Sequence, residues 1–186
     1  MNVFYLDDDP ITAAAWLCDQ HVSKMILESA QMMCTAIRMH MGLEDTPREE
    51  LPDELKFLYK KAHPKHGSTI WVGECFSNFQ WLFSHVVQMH AQHKRRFGTR
   101  HKSFRVAREA WFFLINKRAE YEFILPERNN KPTPPYLAFG PELEHLKNPM
   151  DPVGSYRKFY VADKAKFATW TNVEPPHWWP KDINGR

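Results

Sequence analysis

Hydrophobic positions recur at helical rather than strand spacing along most of the chain. Residues 11–41 contain no proline and no glycine, and their apolar side chains fall on nearly every side of a helical projection. This pattern predicts one long central helix that begins with Asp9 as the N-cap and Pro10 at the first helical position. The first six residues, MNVFYL, predict a short strand or an apolar arm.

Similar patterns predict four further helices. They cover Asp53–Ala62, Ile70–Phe97 with a cap at Ser68 or Thr69 and an end at Gly98, Ser103–Tyr121, and Val153–Trp170. The proline-rich stretch Pro126–Pro152 predicts an extended segment that lies over the helices, anchored by Tyr136, Leu137 and Phe139. We therefore expect an all-α fold with one compact helical domain over residues 1–186, built around a central buried helix.

Composition narrows the class of protein. A length of 186 residues with 43% hydrophobic residues is enough for one sizeable core. The three cysteines have no C-x-x-C spacing and no signal-peptide pattern precedes them, so we expect reduced thiols and a cytoplasmic location. No run approaches the roughly 20 apolar residues of a membrane span, so no membrane partner is expected.

Charge is distributed unevenly although the net charge is only +3. The sequence has no acidic residue between Glu74 and Glu109, and this window carries seven basic residues: Lys94, Arg95, Arg96, Arg100, Lys102, Arg105 and Arg108. Such a window predicts contact with the phosphates of a polyanionic partner. The alternative is that two solvated helix ends meet at a turn.

The central helix carries the residues most suited to chemistry. His21, Lys24, Glu28 and Gln31 fall at i, i+3, i+7 and i+10, and thus on one stripe among large apolar side chains. An imidazole, an ammonium and a carboxylate beside a basic segment favour acid–base work on a nucleic acid. A buried network that only satisfies itself is the alternative, and spacing does not separate the two.

Acidic residues near the N-terminus suggest a metal-binding alternative. The run Asp7, Asp8 and Asp9 could bind a divalent cation with a nearby histidine, as in a metal-dependent nuclease or nucleotide-modifying enzyme using Asp7, Asp9 and His21. Helix capping explains Asp9 equally well, and the pair His90 and His93 has no third ligand. We expect no metal and no cofactor.

The string LCDQHVSKMILES, residues 17–29, resembles the active-site helix of phage pyrimidine-dimer DNA glycosylases of the endonuclease V type. The shared pattern is Leu17, then Asp19-Gln20-His21, then Glu28 seven residues after the histidine. A weaker similarity covers His66 and the helix that ends in KRRFG, and a third covers the tail with Trp178, Trp179 and Lys181.

The resemblance implies a helical enzyme that flips a nucleotide of DNA and cleaves its N-glycosidic bond. An N-terminal amine would attack the sugar carbon, Glu28 would be the acidic catalyst, and His21 would position the strand or hold Glu28. The basic window, Gln20, Gln31, His66 and Trp178 would contact the substrate. If the protein is phage-encoded, its location would be the cytoplasm of the host.

Departures from the family pattern leave alternatives open. The family has a small residue and then an arginine after the initiator methionine, where this chain has Asn2 and Val3, so Met1 or Asn2 could supply the amine. Lys24 or water could be the nucleophile instead. Arginines that flank the catalytic glutamate in the family are replaced by Leu27 and Gln31.

The target is open as well. It could be a pyrimidine dimer or a modified pyrimidine, in DNA, RNA or a free nucleotide, and the oligomeric state is undetermined. A non-enzymatic nucleic-acid-binding protein, in which the polar stripe is a satisfied core network, is the main alternative to an enzyme.

Overall fold

A computed structural model of the chain describes residues 1–117 and 131–181. Within these ranges the backbone forms six α-helices, three short 3₁₀ helices and no β-strand, which confirms the all-α prediction. The α-helices are α1 Pro10–Ala15, α2 Asp19–His40, α3 Gly67–Glu74, α4 Phe76–Phe97, α5 Ser103–Lys117 and α6 Pro152–Lys164. The 3₁₀ helices are Arg48–Glu50, Asp53–Leu55 and Pro141–Leu146.

The central helix is shorter than predicted because the chain breaks between α1 and α2. Asp9 caps α1 with Pro10 at its start, as predicted, but Cys18 is extended and a new helix begins at Asp19. The carbonyls of Ala15 and Leu17 accept hydrogen bonds from the Arg96 guanidinium, at 3.0 and 2.7 Å. A side chain from α4 thus satisfies backbone groups that a continuous helix would pair internally.

The predicted helix 70–97 is also divided in two. Cys75 is extended between α3 and α4, and Asn78 donates to the carbonyl of Trp71 at 2.7 Å while bonding Thr133 of the proline-rich segment at 2.8 Å. The N-cap of α3 is His66, whose ring accepts from the Ser68 amide, rather than Ser68 or Thr69. Gly98 ends α4 in the left-handed conformation, φ 71°, as predicted.

The prediction of a helix over residues 53–62 is wrong beyond the first turn, because side chains of α2 bond backbone groups that such a helix would pair within itself. Arg38 donates to the carbonyl of Tyr59 at 2.8 Å, and the amide of Ala62 donates to the Thr35 hydroxyl at 2.9 Å. These bonds hold the segment in an irregular path along α2.

The last helix ends earlier than predicted, and the chain after it caps α2. Asp151 is the N-cap of α6, which stops at Lys164 rather than Trp170. The Asp19 amide donates to the carbonyl of Thr169 at 2.9 Å, and the Asp19 carboxylate accepts from the Thr171 amide at 2.9 Å. The predicted extension of α5 to Tyr121 lies outside the described residues.

The core surrounds α2, which packs against α3, α4 and α5, while α1 packs against α4. Residues 3–6 are buried as an apolar arm rather than a strand, and they join one connected hydrophobic cluster. Of the predicted anchors in the proline-rich segment, Phe139 is buried, whereas Tyr136 is exposed and donates to Glu74 at 2.9 Å. Pro126 and its neighbours up to Asn130 lie outside the described residues.

Two further observations bear on the sequence predictions. In the part of the chain that the structure describes, no helix has the length and apolar character to cross a membrane. The three cysteines are buried and form no disulfide.

Candidate active site

The Glu28 carboxylate lies between two amines. Its Oε2 is 3.8 Å from the Met1 amino nitrogen, and its Oε1 is 3.3 Å from Lys24 Nζ. The Glu28 side chain is 14% exposed, whereas that of Lys24 is 68% exposed. The carboxylate therefore lies at the mouth of a pocket, with the Met1 amine on one side and the exposed Lys24 amine on the other.

The N-terminal arm carries the Met1 amine to Glu28 through a tight bend. Phe4 has a positive φ of 43°, which is unfavourable for a residue with a side chain. The Asn2 side chain holds the bend, since its Oδ1 accepts from the Phe4 amide at 2.8 Å and its Nδ2 donates to the Ala138 carbonyl at 2.9 Å. Asn2 thus links the arm to the proline-rich segment.

His21 is buried beside the same pocket. Its ring stacks on Phe4 with centroids 4.2 Å apart, and its Nδ1 lies 2.7 Å from the Tyr160 hydroxyl. Burial, with the charges of Lys164 and Lys24 adding to it, lowers the pKa of His21 to about 3. The imidazole is therefore neutral at physiological pH.

The partners of Tyr160 favour one tautomer of His21. The buried phenol oxygen accepts from the Cys18 amide at 2.9 Å, so its own proton is available for His21 Nδ1. This arrangement leaves the proton of His21 on Nε2, the ring nitrogen that meets no hydrogen-bonding partner among the described residues. His21 lines the pocket and its Nε2 is not buried, so this nitrogen is available to the pocket as a donor.

The pocket itself has a volume of about 260 Å³. Its polar lining comprises Met1, Asn2, His21, Lys24, Glu28, Glu142, Asp163 and Lys164. Lys164 Nζ is 2.5 Å from the Asp163 carboxylate, which lowers the pKa of Asp163. The structure therefore brings all five predicted catalytic residues to one cavity.

The far wall of this cavity was not predicted from the sequence. Phe159, Asp163 and Lys164 come from α6, and Ala138–Gly140 come from the proline-rich segment. Tyr160, also from α6, lies behind this wall and bonds His21. No local pattern identifies them, because more than 100 residues separate them from Glu28 in the sequence. The polar face of α6 was the available signal.

Among the predicted substrate contacts on this side, His66 lies within electrostatic range of the Met1 amine. Burial lowers the pKa of His66, and the positive charge of the N-terminal amine lowers it further. Gln20 is exposed and Gln31 half-buried, and neither lines the pocket. Their roles in substrate binding stay predictions.

The predicted phosphate contacts divide into exposed and buried residues. Lys94, Arg95, Arg100, Lys102 and Arg105 are exposed, as is Arg108. Arg96 is buried, bonds the carbonyls between α1 and α2, and pairs with Asp19 at 3.2 Å, so its assignment to phosphate is corrected to a structural role.

The tail tryptophan predicted to bind substrate is packed into an aromatic cluster. The ring of Trp178 meets Trp16 edge-on at 5.9 Å and Tyr160 at 6.3 Å, and the Arg157 guanidinium lies 5.7 Å from it. Its indole nitrogen is buried. These contacts tie the tail to α1 and α6, and stacking of Trp178 on a base stays a prediction.

The three residues of the metal-dependent alternative have separate partners. Asp9 caps α1, Asp7 pairs with Arg157 at 3.0 Å, and His21 bonds Tyr160. Over residues 1–117 and 131–181, no group of three or more His, Cys, Asp or Glu side chains is placed to hold a metal ion. The predicted ligand set is therefore not assembled.

Comparison with known proteins adds no relative to this picture. No family model, curated protein or solved structure matches the chain.

Proposed function

We propose that this protein is a DNA glycosylase-like enzyme that cleaves the N-glycosidic bond of a damaged or modified pyrimidine in DNA, in the cytoplasm. The observation that carries the proposal is the Met1 amine 3.8 Å from the Glu28 carboxylate, at a cavity also lined by His21. An amine beside a carboxylate is the pair that the family resemblance requires.

The reaction follows from this pair. The neutral amine attacks the anomeric carbon of the deoxyribose, and the bond from this carbon to the base breaks with its electron pair leaving on the base. The amine proton passes to the Glu28 carboxylate, and solvent protonates the departing base. Glu28 then returns this proton to the sugar ring oxygen as its bond to the anomeric carbon breaks, which opens the ring and gives a Schiff base. Water hydrolyses the Schiff base and restores the amine.

Of the two amines, Met1 is the better nucleophile for this role. In general an α-amino group has an intrinsic pKa of about 7.7–8.0 and a lysine about 10.4, so far more of an α-amine is neutral near pH 7. The Lys24 side chain is 68% exposed and stays solvated. We assign Lys24 to electrostatic support of Glu28, and Asn2 to positioning the arm.

His21 acts as a neutral donor in this scheme. Its pKa of about 3 excludes a role as a proton shuttle near pH 7. With its proton on Nε2, the ring can donate to an oxygen of the sugar or the base at the Glu28 pocket. The exposed basic residues of the window, Lys94 to Arg108 without Arg96, contact DNA phosphates.

The test is Glu28→Gln on duplex and single-stranded oligonucleotides that carry a panel of damaged and modified pyrimidines. Released bases are identified by mass spectrometry, and intact mass shows whether Met1 is retained. We expect Glu28→Gln to lower the rate of base release by roughly 10²–10⁴-fold while DNA affinity stays nearly unchanged.

Borohydride trapping distinguishes the nucleophiles. Trapping with Lys24→Ala as the matched variant should still yield a covalent adduct, and peptide mapping should place it at residue 1. An active enzyme without an adduct would show that water attacks. Full activity of Glu28→Gln, or no base release by the wild type with only a loss of stability in the variant, would contradict the proposal and favour a non-enzymatic nucleic-acid-binding protein.

A further inference from the structure

A second and larger cavity lies between α4 and α5, with a volume of about 990 Å³. We call it the α4–α5 groove. Its cationic lining consists of Arg48, Lys94, Arg100, Lys102, Arg105 and Arg108, and no acidic side chain of the described residues lines it. It shares no lining residue with the Glu28 pocket.

The charge of the groove is largely uncompensated. Arg105 pairs with Glu109 at 3.7 Å, but Lys94, Arg100 and Lys102 have no carboxylate within ion-pair distance in residues 1–117 and 131–181. A neighbouring hollow shares Arg48, Arg105 and Arg108 with the groove, and its lining also includes the acidic residues Asp53, Glu54 and Glu109. The excess of positive charge therefore lies on the side of the groove formed by Lys94, Arg100 and Lys102, and it favours a polyanion.

The walls of the groove include aromatic rings. Phe104 stacks on His90 with centroids 4.0 Å apart and planes 4° from parallel, and Phe57 and Tyr59 line the same cavity. Burial lowers the pKa of His90, and His93 and Arg100 lower it further, so the stacked pair is uncharged at neutral pH. The Tyr59 hydroxyl donates to Ser103 at 3.2 Å, which fixes that ring against α5.

We infer that the α4–α5 groove binds single-stranded nucleic acid, with phosphates on its cationic rim and unpaired bases against its aromatic walls. A duplex presents phosphates on a convex surface and keeps its bases stacked inside, so it cannot use aromatic side chains within a concavity. Unpaired bases can enter, and stacking on aromatic side chains contributes about 1–3 kcal/mol per base. The inference does not require that Glu28 be catalytic.

The test is fluorescence anisotropy with three labelled probes: a twelve-nucleotide oligo-dT, an oligo-rU of the same length, and a 12-bp DNA duplex. The protein is titrated into each probe at salt concentrations from 50 to 200 mM. We expect the wild type to bind one or both single strands at least tenfold more tightly than the duplex. The two single-stranded arms show whether DNA or RNA is preferred.

Two variants separate charge from stacking. Arg100→Ala combined with Lys102→Ala should weaken single-strand binding at least tenfold and lower the salt slope by about 1.4, because each lost phosphate contact in a single strand contributes about 0.7. Phe104→Leu keeps an apolar side chain, and should weaken single-strand binding but leave duplex binding unchanged. Lys60→Ala, exposed and outside the groove, is the control that should bind like the wild type.

Circular dichroism melts establish that each variant is folded before it is compared. Tighter binding of the duplex, or no effect of either groove variant in folded protein, would overturn the inference. Glu28→Gln should retain single-strand binding. Full base release by Glu28→Gln with intact single-strand binding would contradict the proposed function alone. Loss of base release in that variant, with no preference of the wild type for single strands, would contradict the groove inference alone.

Discussion

His85 is a buried imidazole on α4 whose environment makes the stability of the protein depend on pH. Its exposed fraction is 0%, neither ring nitrogen has a hydrogen-bond partner among the described residues, and its ring stacks on Trp81 with centroids 4.9 Å apart. Complete burial lowers the pKa of His85 from 6.5 to about 3. His85→Leu removes the titrating group and keeps an apolar side chain at the site.

The size of the effect follows from proton linkage. Below pH 6.5 the unfolded chain binds a proton at this histidine, but the folded protein does not until the pH approaches 3. The unfolded state is therefore favoured as pH falls, and the free energy of unfolding drops by about 2 kcal/mol between pH 7 and pH 5 for one such group. His21, with a pKa also of about 3, contributes a similar amount.

His85→Leu should change both the free energy of unfolding at pH 7 and its dependence on pH. At pH 7, relief of an unpaired buried polar group contributes about 1–3 kcal/mol, and loss of the ring contact with Trp81 costs about 0.5–1.5 kcal/mol. We expect His85→Leu to be about 1 kcal/mol more stable than the wild type at pH 7 and about 3 kcal/mol more stable at pH 5. Urea unfolding followed by tryptophan fluorescence at pH 5, 6 and 7 measures both differences.

His145→Leu is the matched control, because His145 is exposed on the 3₁₀ helix Pro141–Leu146 and its replacement should leave the pH dependence as in the wild type. An unchanged slope between pH 7 and pH 5 in His85→Leu would refute the assignment of this pH dependence to His85.

Two further predictions concern Tyr160 and Arg96. Tyr160→Phe removes the donor to His21 Nδ1, so we expect base release to fall at least tenfold and the ¹⁵N NMR signals of the imidazole to show a mixture of tautomers; an unchanged tautomer would contradict the positioning role. Arg96→Ala leaves the carbonyls of Ala15 and Leu17 unpaired, so we expect a loss of about 3–5 kcal/mol in chemical unfolding, whereas a loss below about 1 kcal/mol would contradict the structural role.

The side of the candidate site that α2 forms could be predicted from the sequence, since the stripe of His21, Lys24 and Glu28 depends only on helical periodicity. Its position next to the Met1 amine followed from the family resemblance alone. The partners supplied by Tyr160 and Lys164 could not be predicted, because they are about 140 residues away in sequence and reach His21 only after α6 has packed.

The structural role of Arg96 could not be predicted from the sequence either. In the sequence it stands among exposed basic residues and has the same side chain as Arg95. Only the helical phase of α4 and the position of the break between α1 and α2 turn its guanidinium inward, toward Asp19.

Local sequence determined the helical class, the start of α1 at Asp9 and Pro10, and the end of α4 at Gly98, because caps and turns act over a few residues. Tertiary structure decided where the long helices break and where the segment after Leu55 runs. At those places side chains from distant elements, such as Arg96, Asn78 and Arg38, take backbone hydrogen bonds that a helix would otherwise form within itself.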